Sequence, residues 1–513
     1  MTRPIRLLSG FFTVGAWTLA SRVLGFVREV LIANFLGAGP VADAFIQAFS
    51  LPNMFRRFFA EGAFNMAFVP MFSKKLEARD DPERFASDAF TGLATILIIL
   101  TVVAQLAMPV LIIAIAAGFR GDERFDLAVF YGRICFPYIL FISLAALLSG
   151  VLNATGRFAA AAAAPVVLNI ILIGALTLAW SLTGDFGLWL SWGVVAAGIA
   201  QLALVWVAAA RAGFALRLTR PRWTPDLKNL AMIALPAALA GGVMQINLIV
   251  GRQVASPIEG AIAWLYYADR LYQLPLGVVG IAIGVVLLPA LSRRLQAGDV
   301  AGSRDAFNRA SEFALALTLP ATVGFVVVPT VVVSVLFERG AFSDADSVAT
   351  GAALAIYALG LPFFVLQKVL QPLFFAREDT KTPFYYAVVS MVVNAVLAIG
   401  LAPVIGYLAA AVGTTLSAAV MVGLLWQGSR KMGEAAQTDD RLRKVVPRLL
   451  LASAVMAAVV WGARQVLADA LVTDGLRYAA LAGLIAAGLG AYFASAFALG
   501  GLSVADLRKA VRR

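Results

Sequence analysis

The pattern of hydrophobic positions divides the chain into long apolar runs separated by short polar segments. A helix that crosses a bilayer needs about 20 predominantly apolar residues, so a chain of this length holds about fourteen spans with their connections. The pattern predicts an all-α polytopic membrane protein. The predicted spans lie near residues 8–37, 42–73, 86–118, 126–153, 158–182, 186–210, 226–252, 260–292, 307–336, 348–375, 383–402, 407–429, 446–470 and 476–500.

The two halves of the chain repeat several motifs at a nearly constant distance. Pro70 and Ser73 end the second span before two lysines, and Pro289 and Ser292 end the eighth span before two arginines, 219 residues later. Six spans per repeat is an even number, so the halves are expected to be parallel and related by an axis along the membrane normal. An offset of 225 residues relates Pro137 to Pro362, Thr155 to Thr380 and Asn169 to Asn394.

This repeat predicts three regions. Residues 1–215 form an N-terminal lobe of six helices, and residues 216–432 form a C-terminal lobe of six helices. Residues 433–513 hold two appended helices and a tail, which fall outside the repeat. The ligand site of such parallel-repeat transporters lies between the halves, near the middle of the membrane.

The composition excludes most enzyme classes. Of the 513 residues, 61% are hydrophobic and 14% are charged, whereas soluble domains have about 45–50% apolar and about 25% charged residues. The chain has no histidine, which excludes HExxH zinc sites and histidine-assisted nucleophiles. Its single cysteine, Cys135, cannot form an internal disulfide or a thiolate metal cluster. No Walker A motif occurs, and the sequence predicts no catalytic site, no metal site and no cofactor.

The distribution of Lys and Arg predicts the orientation. The net charge is +12, and 28 of the 41 basic residues fall at the termini and in alternate loops on one side, against three on the other. Basic loops stay in the cytoplasm, so both termini are expected there. Arg3 and Arg6 precede an apolar run that continues past any plausible cleavage point, which predicts an uncleaved first span. The positive charge therefore indicates membrane topology rather than nucleic-acid binding.

Ten basic residues remain within the spans or at their ends. A charged side chain at the bilayer centre costs about 2.5–3.5 kcal/mol on insertion scales. Residues near the ends of spans can extend their charge toward the headgroups. Arg22, near the middle of the first span, and Arg56 and Arg57, in the second, favour a water-filled cavity over a structural ion pair.

The acidic residues inside the spans are fewer: Glu29, Asp43, Glu61 and Asp269. Arg57 and Glu61 are four residues apart on one helix face with Asn53, so they are expected to pair. Residues adjacent in sequence do not face each other, so no pair is expected between Arg28 and Glu29 or between Asp269 and Arg270.

A surplus of arginine therefore remains in the first, second and eighth spans. A low-dielectric cleft lined by cations concentrates anions, and the planar guanidinium binds phosphate through two hydrogen bonds. Pro52 and Pro275, each preceded by leucine, and Gly277 are hinge candidates for rocking lobes. Helix packing is the alternative explanation for these prolines and glycines.

Several dense motifs resemble the MurJ (MviN) family of lipid II flippases. The resemblance is densest over residues 20–75 and 262–296 and extends along the whole chain. It rests on SRVLGFVRE at 21–29, ADAF at 42–45, LPNMFRR at 51–57, FAEGAF at 59–64, AFVP at 67–70 and YYADRL at 266–271, followed by Leu274-Pro275 and Gly277.

This resemblance implies a member of the MOP exporter superfamily with a cationic central cavity between two six-helix lobes. The implied substrate is lipid II, the undecaprenyl-diphosphate-linked disaccharide-pentapeptide precursor of peptidoglycan. The last two helices are implied to form a groove for the polyprenyl tail. The family's cavity arginines fall on Arg22, Arg28, Arg56 and Arg270, with polar support from Asp43, Asn53, Arg57, Glu61 and Asp269.

The resemblance also implies a multi-pass protein of the bacterial cytoplasmic (inner) membrane that functions as a monomer. Proteins of cell-wall synthesis or division are candidate partners. Some relatives have an acid where this chain has Gln273, and some hold sodium with acids where this chain offers Asn247 and Asn394. The membrane potential is therefore the expected driving force.

Three alternatives stay open at the level of the sequence. Another MOP-type exporter of lipid-linked oligosaccharides would share the fold, whereas a drug–cation antiporter should have an acid-rich cavity. A membrane enzyme acting on polyprenyl diphosphates would need histidine or an acid cluster that holds Mg²⁺. A scaffold for cell-wall or division proteins would tolerate loss of the cavity arginines.

Overall fold

The computed structural model describes residues 7–56 and 63–503. Within these residues the chain forms 18 α-helices, three short 3-10 turns and no strand. The helices are α1 (Leu7–Leu36), α2 (Pro40–Arg56), α3 (Ala63–Ala78), α4 (Pro82–Ile115), α5 (Glu123–Cys135), α6 (Tyr138–Ala154), α7 (Ala159–Leu182), α8 (Phe186–Arg211), α9 (Pro225–Ala255), α10 (Ala261–Gln296), α11 (Val300–Val327), α12 (Pro329–Phe337), α13 (Asp344–Phe375), α14 (Lys381–Ile405), α15 (Leu408–Ser429), α16 (Asp440–Val466), α17 (Ala468–Val472) and α18 (Arg477–Ala498).

In the described residues, every predicted span overlaps one of these helices or two consecutive ones. In the described part of the chain, ten helical segments are long and apolar enough to cross a membrane. Their outward faces are apolar: on α4, Ile99 is 59% exposed and Leu106 is 79% exposed. Large apolar side chains exposed in such numbers indicate contact with lipid rather than with water.

Polar residues that cap the helix N-termini determine where the helices begin. The Thr224 hydroxyl accepts a hydrogen bond from the Leu227 amide at the start of α9, where Pro225 occupies the first helical position. Ser343 and Asp346 form a reciprocal capping box at the start of α13. Each side-chain cap contributes about 1 kcal/mol to helix stability.

The helices pack into two compact units. The first unit contains Met1–Ala263 together with Arg339–Phe342, and the second contains Trp264–Glu338 together with Ser343–Arg513. The division falls within the first turn of α10. The predicted lobe boundaries at residues 215/216 and 432/433 refer to the sequence repeat, and they stay a prediction.

In the first unit, α1 packs on α7, α7 on α8, α2 on α5, and α3 on α9. Phe68 stacks on Phe72 and on Phe85, with ring centroids 5.6 Å apart in both pairs. At the end of α3, the Lys75 ammonium lies 2.8 Å from the Asp80 carboxylate and 3.1 Å from that of Asp226. These hydrogen bonds raise the pKa of Lys75 and connect α3 to the start of α9.

In the second unit, α13 packs between α11 and α15, and α16 packs on α11 and α18. The core contains the fully buried Leu291, Leu373 and Leu425. The buried Asn308 amide donates to the Gln437 carbonyl at 2.9 Å and accepts from the Asp439 amide at 3.0 Å. These contacts attach the start of α16 to α11, so the appended helices belong to the second unit.

One junction in the first unit joins the segment after α4 to the end of α9. The Gly118 amide donates to the Ser256 hydroxyl at 2.9 Å, and the Ala117 amide donates to the Gln253 side-chain oxygen at 2.9 Å. The Gln253 amide donates to the Ala114 carbonyl at 2.7 Å. The two backbones approach so closely that a Cβ atom on Gly118 would collide with the main chain of Ser256 and Pro257.

Replacing Gly118 by alanine is therefore expected to destabilise the first unit by about 1–3 kcal/mol, the usual cost of an overpacked site. The thermal melting temperature of the purified full-length protein measures this effect. Gly174→Ala is a matched control, since a Cβ atom at Gly174 meets no atom within 4 Å. Equal melting temperatures for the two variants would contradict the close approach at Gly118.

Residues 339–342 belong to the first unit although their neighbours in sequence belong to the second. The Ala341 amide donates to the Asn34 carbonyl at 2.8 Å, near the end of α1. Gly340 has a φ of +58°, and a Cβ atom there would collide with the Asn34 carbonyl. This short segment is therefore held directly against α1.

Candidate functional site

Three residues one or two turns apart form the face of α1 that meets α7. Ser21, Gly25 and Arg28 share this face because they are spaced by four and three residues. The Asn169 amide of α7 donates to the Ser21 carbonyl at 2.9 Å, and its side-chain oxygen accepts from Arg28 Nη1 at 2.8 Å. A Cβ atom on Gly25 would lie 3.6 Å from Asn169 Nδ2, at ordinary van der Waals contact, so α1 and α7 pack closely at this position.

The same Arg28 guanidinium also forms an ion pair with Glu29. The expectation that these neighbours would not pair was wrong. Backbone spacing alone places adjacent side chains on different faces, but the long arginine side chain reaches around the helix to the Glu29 carboxylate. The Arg28 side chain is 12% exposed and that of Glu29 is 4% exposed. The pair thus holds a cation at a nearly enclosed position in the apolar α1.

Arg22 and Arg56 are the other candidate cations of the first unit. Arg22 is half-buried and makes no hydrogen bond or ion pair with any residue that the structure describes. Arg56 is the last residue of α2 and is also half-buried. One turn earlier, the Asn53 amide donates to the Phe49 carbonyl of its own helix at 3.0 Å. The predicted pair of Arg57 and Glu61 lies outside the described residues.

Asp43 has a different environment from these arginines. Its carboxylate is fully buried, accepts from the Gly260 amide at 2.8 Å and from the Ala263 amide at 3.0 Å, and lies 3.4 Å from Arg124 Nη1. Gly260 and Ala263 lie at the start of α10, so the carboxylate of α2 caps another helix. Arg124 is itself buried, with Asp122 at 2.5 Å and the Phe119 ring at 4.6 Å.

The second unit contains Asp269 and Arg270 on α10. The Arg270 guanidinium lies 4.6 Å from the centre of the Tyr266 ring, one turn earlier, which is a cation–π contact. The Gln273 amide donates to the Asp269 carboxylate one turn later. Gln273 is therefore a hydrogen-bond donor to Asp269. Three of the four candidate cavity arginines belong to the first unit, and Arg270 belongs to the second.

The hinge candidates lie within continuous helices. α2 continues past the buried Pro52 to Arg56, and α10 is one helix across Pro275 and Gly277. Both α10 positions are half-buried. Bending at these residues stays a prediction.

The two asparagines considered above for a sodium site, Asn247 and Asn394, differ in their surroundings. Asn394 is 1% exposed on α14, and a Cβ atom on Gly413 of α15 would lie against its side chain. Asn247 is half-buried on α9 in the first unit. Across residues 7–56 and 63–503, no group of three or more Asp, Glu or Cys side chains is arranged to hold a metal ion.

Asn169 and Arg124 are site residues that the sequence does not single out as such. Asn169 orients Arg28 from a helix 141 positions away, and Arg124 reaches Asp43 over 81 positions. The repeat match of Asn169 with Asn394 is the one sequence signal that marks either of them.

An apolar helical exterior, with charged groups enclosed on α1 and α2 and half-buried on α10, defines a polytopic helical membrane protein. The family model for lipid II flippase MurJ matches residues 32–478. The chain belongs to this family.

Individual relatives match this chain over nearly their whole lengths. The chain is 47% identical over 517 residues to the probable lipid II flippase MurJ of Rhizobium meliloti (strain 1021), covering 99% of this chain and 96% of that relative. It is 33% identical over 463 residues to lipid II flippase MurJ of Burkholderia cenocepacia, covering 89% of this chain and 90% of that relative. These matches confirm the family predicted from the motifs.

Two solved structures have a fold similar to that of this chain. Lipid II flippase MurJ in an inward closed conformation matches with a TM-score of 0.77 at 26% identity, covering 94% of this chain and 97% of that chain. An inward-facing MATE multidrug transporter of the MOP superfamily matches with a TM-score of 0.65 at 16% identity, covering 82% and 96%. The predicted all-α polytopic fold is confirmed, and the chain is a multi-pass protein of the bacterial inner membrane.

Proposed function

We propose that the chain moves lipid II from the cytoplasmic to the outer leaflet without catalysing a chemical change. The observation that carries this proposal is the Arg28 guanidinium on α1, held by Asn169 at 2.8 Å and by Glu29, and 12% exposed. A cation kept inside a membrane helix is costly. A function that needs a fixed positive charge for a passing anion accounts for this cost, and relatives that carry the printed name lipid II flippase supply the substrate class.

The diphosphate of lipid II is the group that these cations suit. Arginine forks bind phosphate oxygens through pairs of charge-assisted hydrogen bonds, which replace the water that the diphosphate loses. Asp43 would support the site through the capping of α10 rather than by contact with the substrate. The proposed substrate-binding residues are Arg22, Arg28, Arg56 and Arg270, with polar support from Asn53, Arg57, Glu61 and Asp269.

The proposed mechanism is alternating access by two six-helix lobes, with both termini in the cytoplasm. The headgroup enters a cationic cavity that is open to the cytoplasm, while the polyprenyl tail stays in lipid. The lobes then rock, with Pro52, Pro275 and Gly277 as hinges. A membrane potential that is negative on the cytoplasmic side favours outward movement of the anion by about 2.3 kcal/mol per charge per 100 mV.

Lipid II exposure on the outer surface of cells that depend on this chain tests the proposal. Replacing Arg22 by alanine is expected to lower the exposed lipid II about tenfold or more, since a hydrogen-bonded charge contributes about 1.5–3 kcal/mol. Lipid II should then accumulate on the cytoplasmic side. Arg133→Ala is the matched control, because Arg133 is an exposed arginine of α5.

Two outcomes would overturn the proposal. One is undiminished lipid II export by Arg22→Ala at a normal protein level. The other is release of phosphate from polyprenyl diphosphates by the purified protein, which would indicate an enzyme.

A further inference from the structure

A cavity of about 440 Å³ lies in the first unit where three membrane helices end. It is formed by the end of α6, the start of α7 and the end of α8, and Thr13 of α1 contributes to its wall. None of the proposed substrate arginines lines it. Its lining includes Leu152, Arg157, Phe158, Ala160, Ala208 and Arg211.

Two exposed arginines give this cavity a positive charge. Arg157 Nη1 donates to the main-chain carbonyl of Arg211 at 3.4 Å, which places the two residues side by side. Among the described residues that line the cavity, none is acidic. Two neighbouring cations repel each other unless an anion lies between them, so the cavity favours an anionic occupant.

The backbone at the start of α7 adds hydrogen-bond donors. Phe158 is the residue that precedes the helix, and its side chain caps no amide. The first-turn amides of an α-helix have no partner within the helix, and they carry a partial positive charge. Ala159 and Ala160 of this turn line the same cavity as the two arginines.

We propose that this cavity binds the phosphate headgroup of an anionic phospholipid. α7 begins and α8 ends at this cavity. The ends of membrane-spanning helices lie at the depth of the bilayer headgroups. Basic pockets between the ends of membrane helices bind anionic lipid headgroups. Leu152, Phe158 and Ala208 provide apolar contact for the glycerol and the first acyl carbons. The proposal does not depend on the transported substrate.

A lipid in this position connects α1 to α6, α7 and α8. Thr13 lies on the same helix as Arg28, and Asn169 fixes that helix to α7 further along. A ligand that binds only the folded state stabilises that state. The lipid is therefore expected to stabilise the packing of α1 in the first unit.

The test uses the full-length protein, delipidated in an uncharged detergent and titrated with phosphatidylglycerol or with phosphatidylcholine of the same chains. Native mass spectrometry measures the bound lipid, and thermal melting measures the stabilisation. Phosphatidylglycerol should bind more tightly than phosphatidylcholine. Removing each arginine, as Arg157→Gln and Arg211→Gln, should weaken phosphatidylglycerol binding about fivefold.

Two matched variants separate this site from general attraction of lipid to basic loops. Arg217→Gln with Arg220→Gln removes two exposed arginines that do not line the cavity, and it should leave the affinity within about twofold. Ala160→Phe fills the cavity with both charges intact and should weaken binding as much as loss of an arginine. Unchanged affinity in the Arg157/Arg211 double variant or in Ala160→Phe would overturn the proposal. So would equal stabilisation by inorganic phosphate, which would make a soluble anion the occupant.

Discussion

Replacing Asp43 by alanine is expected to destabilise the first unit by about 3–5 kcal/mol, the usual cost of removing one partner from a buried ion pair. The substitution leaves the Arg124 guanidinium, which is 3% exposed, without its buried carboxylate. It also removes the acceptor of the Gly260 and Ala263 amides at the start of α10. Thermal melting of the purified protein, together with its yield from membranes, measures the effect.

The control for this substitution is Asp122→Ala. Asp122 also contacts Arg124, but its side chain is 34% exposed and water can replace it. A loss of about 1 kcal/mol or less is expected there, as for exposed ion pairs. A double variant of Asp43→Ala and Arg124→Met should recover part of the stability, because no buried charge is then left unpaired. Melting of Asp43→Ala at the temperature of Asp122→Ala would show that the capping of α10 contributes little.

Replacing Arg28 by alanine is expected to lower lipid II transport about tenfold or more, since it removes the proposed charge-assisted contact to the diphosphate, worth about 1.5–3 kcal/mol. Arg28→Lys keeps the charge but lacks the planar fork, so it should restore only part of the transport. Reconstituted liposomes in which lipid II accessibility is followed over time measure the rate directly. Full transport by Arg28→Ala would contradict a role for this residue in substrate binding.

Asn169 separates positioning from binding in the same experiment. Asn169→Ala removes both the 2.8 Å hydrogen bond that orients Arg28 and the 2.9 Å hydrogen bond to the Ser21 carbonyl, so it should slow transport and also lower the thermal stability. Asn169→Asp keeps an acceptor for Arg28 Nη1 but loses the donor to the Ser21 carbonyl, so it should restore part of the rate without restoring the stability. If alanine and aspartate at this position slow transport equally, then Asn169 serves only the packing of α1 on α7.

The sequence predicts the helices well because bilayer thickness fixes the length of each apolar run. The span predicted at 158–182 is observed as α7, Ala159–Leu182. Several breaks inside predicted spans were not foreseen, among them the ends of α5 at Cys135, of α11 at Val327 and of α16 at Val466. Pro137 lacks the amide hydrogen that would continue α5, although Phe136 before it keeps helical geometry with a φ of −60°. Pro329 turns Val328 out of helical geometry, to a φ of −132°.

The candidate site could be predicted only in part. The cost of charge in a membrane singles out Arg22, Arg56 and Arg57 without any structure, whereas Arg28 is named only by the family resemblance. The partners of these charges depend on which helices pack together, and one sequence does not encode that information locally. Asn169 meets Arg28, and Arg124 meets Asp43, only because α7 packs on α1 and α5 packs on α2.

The placement of residues 339–342 in the first unit has a consequence for how the protein is made. The Asn34 carbonyl meets its partner, the Ala341 amide, only after two-thirds of the chain has been synthesised. At about 5–20 residues per second, roughly 4–16 s separate the emergence of Ala263 from that of Phe342. The ribosome therefore delivers α11 and α12 to the membrane before residues 339–342 complete the first unit. The two units are thus expected to finish folding together rather than one after the other.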